Sequence, residues 1–182
     1  MELVKVDLKS VNMHWLDKGD PHDDCCVHGG VFLRLGDQIV SDGESEWTVS
    51  TAAFRLLGTV TGEHNNNIDD ALIPCCGFNM WPVDSAPDGL LIPNCSNGID
   101  WVIHHPTPDV VAHVFPDGRT ILTQVQEWSK AVSGFADPIY EFFQTAWPKN
   151  FYDDESRLGF ERFMNLWTMR RGVADLLNAS GK

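Results

Sequence analysis

No stretch of this sequence approaches the ~20 consecutive apolar residues that a membrane span requires. Its longest apolar runs are interrupted by Asp, Asn or Arg within a few positions. The opening Met1-Glu2-Leu3-Val4-Lys5-Val6-Asp7 has no basic stretch followed by an apolar run. No signal peptide is therefore expected, and the chain is expected to stay in the cytoplasm. There is no Gly-x-Ser-x-Gly, no phosphate-binding loop and no His-Glu-x-x-His, which removes the common hydrolase, nucleotide and zinc-protease signatures. Gly29-Gly30 lacks the glycine spacing of a dinucleotide site. Internal repeats and low-complexity segments are missing as well.

Positive charge is scarce in the middle of the chain. Residues 10–118 contain only Lys18, Arg34 and Arg55 as bases, against sixteen acids. The flanking segments 1–9 and 119–182 are each balanced, so the whole net charge of −13 belongs to the middle. The acids cluster as Asp17, Asp20, Asp23 and Asp24, then Asp37, Asp42, Glu44 and Glu46, then Asp69-Asp70 and Asp84/Asp88. Several neighbour glycine, proline or serine, which places them on exposed turns. A surface of this kind repels nucleic acid and anionic lipid, and it attracts a cation or a basic protein.

The 182 residues are 43% hydrophobic and 21% charged, the composition of an ordinary globular chain of about one domain. The five cysteines (Cys25, Cys26, Cys75, Cys76 and Cys95) are odd in number, and two pairs are adjacent. Adjacent cysteines bridge each other only with strain, so free thiols are expected.

Periodicity points to α+β, with antiparallel sheet or meander in the first two thirds, one intervening helix, and packing against C-terminal helices. Alternation predicts strands at 3–9 and 11–16. Val31–Leu35 and Gln38–Val40 flank a Gly36-Asp37 turn and read as a hairpin. Ser50 or Thr51 is expected to cap a helix running to about Thr61. Ile99–His105 and Val110–Phe115 read as neighbouring strands, with Thr120–Thr123 as a third. Helices are predicted over Thr123–Ser133, from Asp137-Pro138 to Trp147, and from Asp153 or Asp154 onward. Trp81, Trp101, Trp128, Trp147 and Trp167 lie in apolar patterns and are expected in the core.

Three sets of residues carry candidate chemistry. The first is His22-Asp23-Asp24-Cys25-Cys26-Val27-His28. Here His22 and Cys25 or Cys26 have the spacing of a zinc ligand pair, and Cys75-Cys76 or Cys95 could supply the other half. Against this, neither half is Cys-x-x-Cys, and consecutive extended residues point to opposite faces. The second is a cysteine nucleophile in the Cys75-Cys76 or Cys95 loop, with His104, His105 or His113 as base and Asp100 as orienting group. Strand geometry keeps Asp100 and His104 ~13 Å apart and sets His113 beside Val102, so these groups do not converge. The third is an acidic docking surface of Asp17, Asp20, Asp23, Asp24, Asp42, Glu44 and Glu46, with Trp15 and Trp47, both flanked by acids, as aromatic anchors.

The strings Leu72-Ile73-Pro74-Cys75-Cys76-Gly77 and Asn97-Gly98-Ile99-Asp100-Trp101 look like those of small bacterial cytosolic proteins. In size and charge the chain resembles immunity proteins that neutralise secreted toxins. That likeness is one of type and carries no residue assignments. The expected function is thus a non-enzymatic binding protein for a basic partner such as a toxin domain, with no cofactor, no nucleic acid and no membrane. The alternative is a zinc or thiol enzyme built on His22, Cys25, Cys26, His28, Cys75 and Cys76.

Overall fold

In the computed structural model, residues 2–16, 19–66 and 70–180 are described. Strands β1 (Val6–His14), β2 (His28–Leu35) and β3 (Gln38–Asp42) form an antiparallel sheet in the order β1-β2-β3. The expected hairpin is present, and Gly36 takes the left-handed conformation its turn needs (φ 59°). The two strands expected at 3–9 and 11–16 are one strand with an irregularity. Pairing of Val6 with Leu35 and Leu8 with Leu33 is broken after Val11 and resumes at His14–His28. Asn12 absorbs the extra residue at φ 52°, which asparagine tolerates better than most.

Helix α1 (Val49–Gly58) follows. It begins before the expected caps, because Ser50 and Thr51 hold neighbouring segments instead. The Ser50 hydroxyl accepts from the Val27 amide at 3.1 Å, and the Thr51 hydroxyl donates to the Gly77 carbonyl at 2.6 Å. Every residue from Val49 to Leu57 is buried. That includes Arg55, whose guanidinium donates to the Ala71 and Ile92 carbonyls and pairs with Asp70 at 2.9 Å. The buried charge is thereby satisfied on all sides.

Two short antiparallel pairs follow. β4 (Ile73–Pro74) lies against β7 (Gly98–Ile99), and β5 (Trp81–Pro82) against β6 (Leu90–Leu91). The expected meander comprises β8 (Val102–Thr107), β9 (Val110–Val114) and β10 (Thr120–Gln124) in the order β10-β9-β8. His113 pairs with Ile103, one residue from the expected Val102, because the β8–β9 register shifts between His104 and Thr107.

The last third folds as α2 (Val125–Gln144) and α3 (Asp154–Ser180). The two helices expected before residue 147 are one. Asp137 does not cap a new helix; its carboxylate takes a two-pronged pair from Arg171 of α3, at 2.6 and 2.9 Å. Pro138 leaves the Gly134 carbonyl without its intrahelical donor, but Gly134 is exposed and water can take that bond. Burial of Phe135, Ala136, Ile139 and Phe143 keeps the helix continuous through the proline. Asp153 caps α3 as expected, accepting from the Ser156 amide at 2.8 Å.

A continuous apolar core runs from Leu8 in β1 through Trp101 and Trp128 to Ala174 in α3. Trp101, Trp128 and Trp167 are fully buried, as expected. Trp81 and Trp147 are not core residues; they are 42% and 49% exposed. No helix among the described residues is long and apolar enough to cross a membrane.

One polar chain crosses the core. Trp101 Nε1, which can only donate, bonds His113 Nδ1 at 3.1 Å, so the imidazole proton lies on Nε2 and is donated to Thr123 Oγ1 at 3.1 Å. The edge of Trp128 meets the same ring, and Trp128 Nε1 donates to Thr59 Oγ1 at 3.0 Å. Burial holds His113 neutral, with its pKa pushed down to about 3. Above pH ~6.5 folded and unfolded chains both carry it uncharged. Below that, the unfolded chain takes a proton that the folded chain refuses, so stability falls with acid. Between pH 7 and pH 5, His113 alone is expected to remove about 2 kcal/mol. Denaturant unfolding at the two pH values measures this, and equal midpoints would contradict it.

Candidate functional site

The β2–β3 hairpin opens opposite its turn, so the start of β2 and the end of β3 lie together. Gly29 and Trp47 bond each other through both backbone groups, at 3.1 and 2.9 Å. His14, at the end of β1, pairs with His28. Segments 14–16, 20–28 and 42–47 therefore converge on one end of the first sheet.

This end carries the two acidic groups singled out in the sequence. Asp20 accepts from the His22 amide and begins a one-turn helix at Pro21–Asp23. Asp24 ties the strand ends together, accepting from the Leu16 and Cys26 amides at 2.8 and 2.9 Å. Asp42 accepts from the Glu44 amide, and Glu46 meets His14 Nε2 at 2.9 Å. Asp20, Asp23, Asp42, Glu44 and Glu46 are exposed, and Asp24 is half-buried. Asp17 lies outside the described residues. Among the described residues, no lysine or arginine pairs within 4.0 Å with any of these six carboxylates. By contrast, Asp70, Asp84, Asp88 and Asp117 elsewhere in the acidic segment each meet an arginine. The unpaired charge is thus densest at one end, although Asp37 at the opposite, turn end of the hairpin, Glu63 and Asp109 also have no lysine or arginine partner among the described residues.

Trp15 and Trp47 are both half-buried here. The Trp15 ring packs on Phe142 and Phe143 of α2, at centroid distances of 4.8 and 5.9 Å. Lys149 Nζ lies 3.7 Å from the centre of the Trp15 ring and donates to the Pro21 carbonyl at 2.9 Å. Burial lowers the pKa of this ammonium. Asn150 adds bonds to the His22 carbonyl and the Asp23 carboxylate, and His22 Nδ1 meets the Pro148 carbonyl at 2.7 Å. Segment 148–150 therefore clamps the acidic loop from behind. Leu16 stands beside it, 54% exposed.

The metal reading of residues 22–28 fares differently. The Cys26 thiol is fully buried and turned toward the Gly77 carbonyl, and burial pushes its pKa well up. Burial raises Cys25 to about 11. His22 is engaged with Pro148, and His28 is buried, which lowers its pKa. Among the described residues these side chains do not gather their ligand atoms within 4.8 Å; Cys75, Cys76 and Cys95 do.

Nor does Asp100 orient His104, His105 or His113. Its carboxylate meets His64 Nε2 at 2.8 Å and also accepts from the Leu72 amide at 3.0 Å. His105 bonds the Thr59 carbonyl, and His113 is enclosed in the core. Sequence reasoning missed His64 because the pair is 36 residues apart and is joined only by an isolated bridge between His64 and Ile103. His64 lines a cleft of about 520 Å³ with Phe54, Arg55, Ile92, Asp88 and Arg170. Apart from the exposed Glu63, the charges of this cleft are paired among the described residues. Arg55 holds Asp70, and Arg170 holds Asp88 at 2.7 Å while stacking on Phe54.

No family model matches the chain, and no curated protein or solved structure shows significant similarity to it.

The shape of the acidic end depends on Lys149. Lys149→Met keeps the stem but removes the cation over Trp15 and the bond to Pro21. It is expected to lower stability by about 1–2 kcal/mol and to speed amide exchange over residues 20–26. Unchanged melting and unchanged exchange there would contradict this role.

Proposed function

We propose that this protein is a non-enzymatic binding module whose anionic end docks on the basic surface of a protein partner. The concrete form is a cytoplasmic immunity-type protein that covers the cationic cleft of a toxin domain. The observation that carries the reading is the gathering of Asp20, Asp23, Asp24, Asp42, Glu44 and Glu46, with no lysine or arginine within 4.0 Å of them among the described residues, around Trp15 and Trp47. Such a surface steers a cationic partner, and its field acts before contact. The same field turns away nucleic acid and anionic lipid. The half-buried tryptophans supply the apolar contact that charge alone does not.

The thiol-enzyme reading has less support. The Cys25 and Cys75 thiols are raised to about 11 and about 12, so neither is an ionised nucleophile at neutral pH, and the Cys95 thiol, whose pKa is lowered, meets Cys76 and the Asn97 carbonyl and no histidine among the described residues.

The test uses basic nuclease toxin domains as probes and measures association rates at low and high salt. The rate is expected to fall by roughly tenfold or more between ~0.05 and ~0.5 M salt. Changing Asp20, Asp23, Asp42 and Glu44 together to Lys is expected to slow it by about 100-fold at low salt. Asp37→Lys, at the far end of the hairpin, is expected to leave it within about threefold. Association indifferent to salt, or equal rates for the fourfold variant, would refute the proposal.

A further inference from the structure

Outside the acidic end, three cysteines from two loops meet among the described residues. Cys75, Cys76 and Cys95 bring their sulfur atoms within 4.8 Å of one another. Cys76 Sγ lies 3.5 Å from Cys75 Sγ and 3.2 Å from Cys95 Sγ. All three are half-buried, unlike Cys26, which fills the core.

Backbone constraints build this arrangement. The β4–β7 pair sets Ile73 against Ile99 and Pro74 against Gly98. The Cys75 amide then donates to the Asn97 carbonyl at 3.2 Å, so the two cysteine-bearing loops leave the ladder together. On the other side the segment hangs on the first turn of α1. The Thr48 amide donates to the Pro74 carbonyl at 3.0 Å, the Thr48 hydroxyl to the Cys75 carbonyl, and the Thr51 hydroxyl to the Gly77 carbonyl. Cys75 lies in a bend, and Gly77 reverses the chain at φ 123°. The two adjacent side chains therefore leave the extended geometry that would send them to opposite faces, and both turn toward Cys95.

We propose that Cys75, Cys76 and Cys95 form a three-thiolate site for one thiophilic metal cation of the zinc class. Zinc–sulfur bonds of ~2.3 Å place three thiolates roughly 3.8–4.0 Å apart, so the Cys75–Cys76 and Cys76–Cys95 separations need to widen by roughly 0.3–0.8 Å. Soft sulfur donors select such ions over magnesium or calcium. Binding is a ligand exchange: three S–H bonds give up their protons to water, three metal–sulfur bonds form, and no electron changes hands. A water or an outside thiol completes the fourth position.

The test titrates the metal-free protein with cadmium in the presence of a phosphine reductant. The ultraviolet thiolate-to-cadmium band is expected to saturate at about one equivalent, with about three protons released per ion near pH 7. Zinc in excess is expected to abolish the band. Cys76→Ser and Cys95→Ser are each expected to weaken binding by about 100-fold or more, with unchanged circular dichroism, whereas Cys25→Ser is expected to bind as before. No band at one equivalent, or a band that survives in Cys95→Ser, would overturn the site. So would a band lost in Cys25→Ser.

Discussion

The ammonium of Lys149 lies 3.7 Å from the centre of the Trp15 ring and donates to the Pro21 carbonyl, with only 7% of the residue exposed. It comes from the C-terminal third, whose eight bases and eight acids balance, and it enters the most acidic part of the molecule. Burying an ammonium is costly, and that cost is offset by the ring face, the carbonyl and the field of Asp24 and Asp20. This contact joins the helical layer to the end of the first sheet. The one-turn helix at Pro21–Asp23, the clamp from Asn150 and the packing of Trp15 on Phe142 all follow from it.

With that end fixed, the electrostatics follow from topology. An antiparallel hairpin must bring the residues before its first strand and after its second to the same place, and in this chain both flanks are acidic. Local bonds use one carboxylate oxygen of Asp20 and of Asp42 and both of Asp24 to brace the loops, which orders the charges without neutralising them. The acids on the far side of the acidic segment have a different fate. Arg55 and Arg170 pair with Asp70 and Asp88 at the rim of the cleft, and Arg162 meets Asp84 on the surface. One end is left anionic, and in the cleft Glu63 is the lining carboxylate without an ion pair among the described residues.

Much of this was legible in the sequence, where local physics decides. Gly36-Asp37 between alternating residues fixed the hairpin, Asp153 announced α3, and the meander followed from the β-rich runs Ile99–His105, Val110–Phe115 and Thr120–Thr123. Reading failed where a distant partner overruled a local signal. Asp137-Pro138 has the form of a helix start, but Arg171 and the buried face from Phe135 to Phe143 carry α2 through it. Trp81 and Trp147 sit in apolar strings but face outward, because neighbouring residues fill the core. The acidic end was readable as composition; its convergence required the His14–His28 pairing, which follows an irregularity at Asn12. The His64–Asp100 pair left no trace in sequence spacing. The three-cysteine cluster was half visible as Cys75-Cys76, but the opposite-face argument for consecutive residues does not hold at a bend.

The thiol cluster and the acidic end are neighbours in the fold, since Thr48, which follows Trp47, carries the segment that bears Cys75. Their proposed roles are independent, as a cation on three sulfurs does not require a partner on the carboxylates. The most direct measurement of the docking claim is amide hydrogen exchange of the whole chain with and without a bound basic nuclease domain. The expected result is protection concentrated at residues 14–16, 20–28 and 42–47. Protection confined to the cleft of Phe54, His64, Ile92 and Arg170, with the acidic end unchanged, would contradict the account.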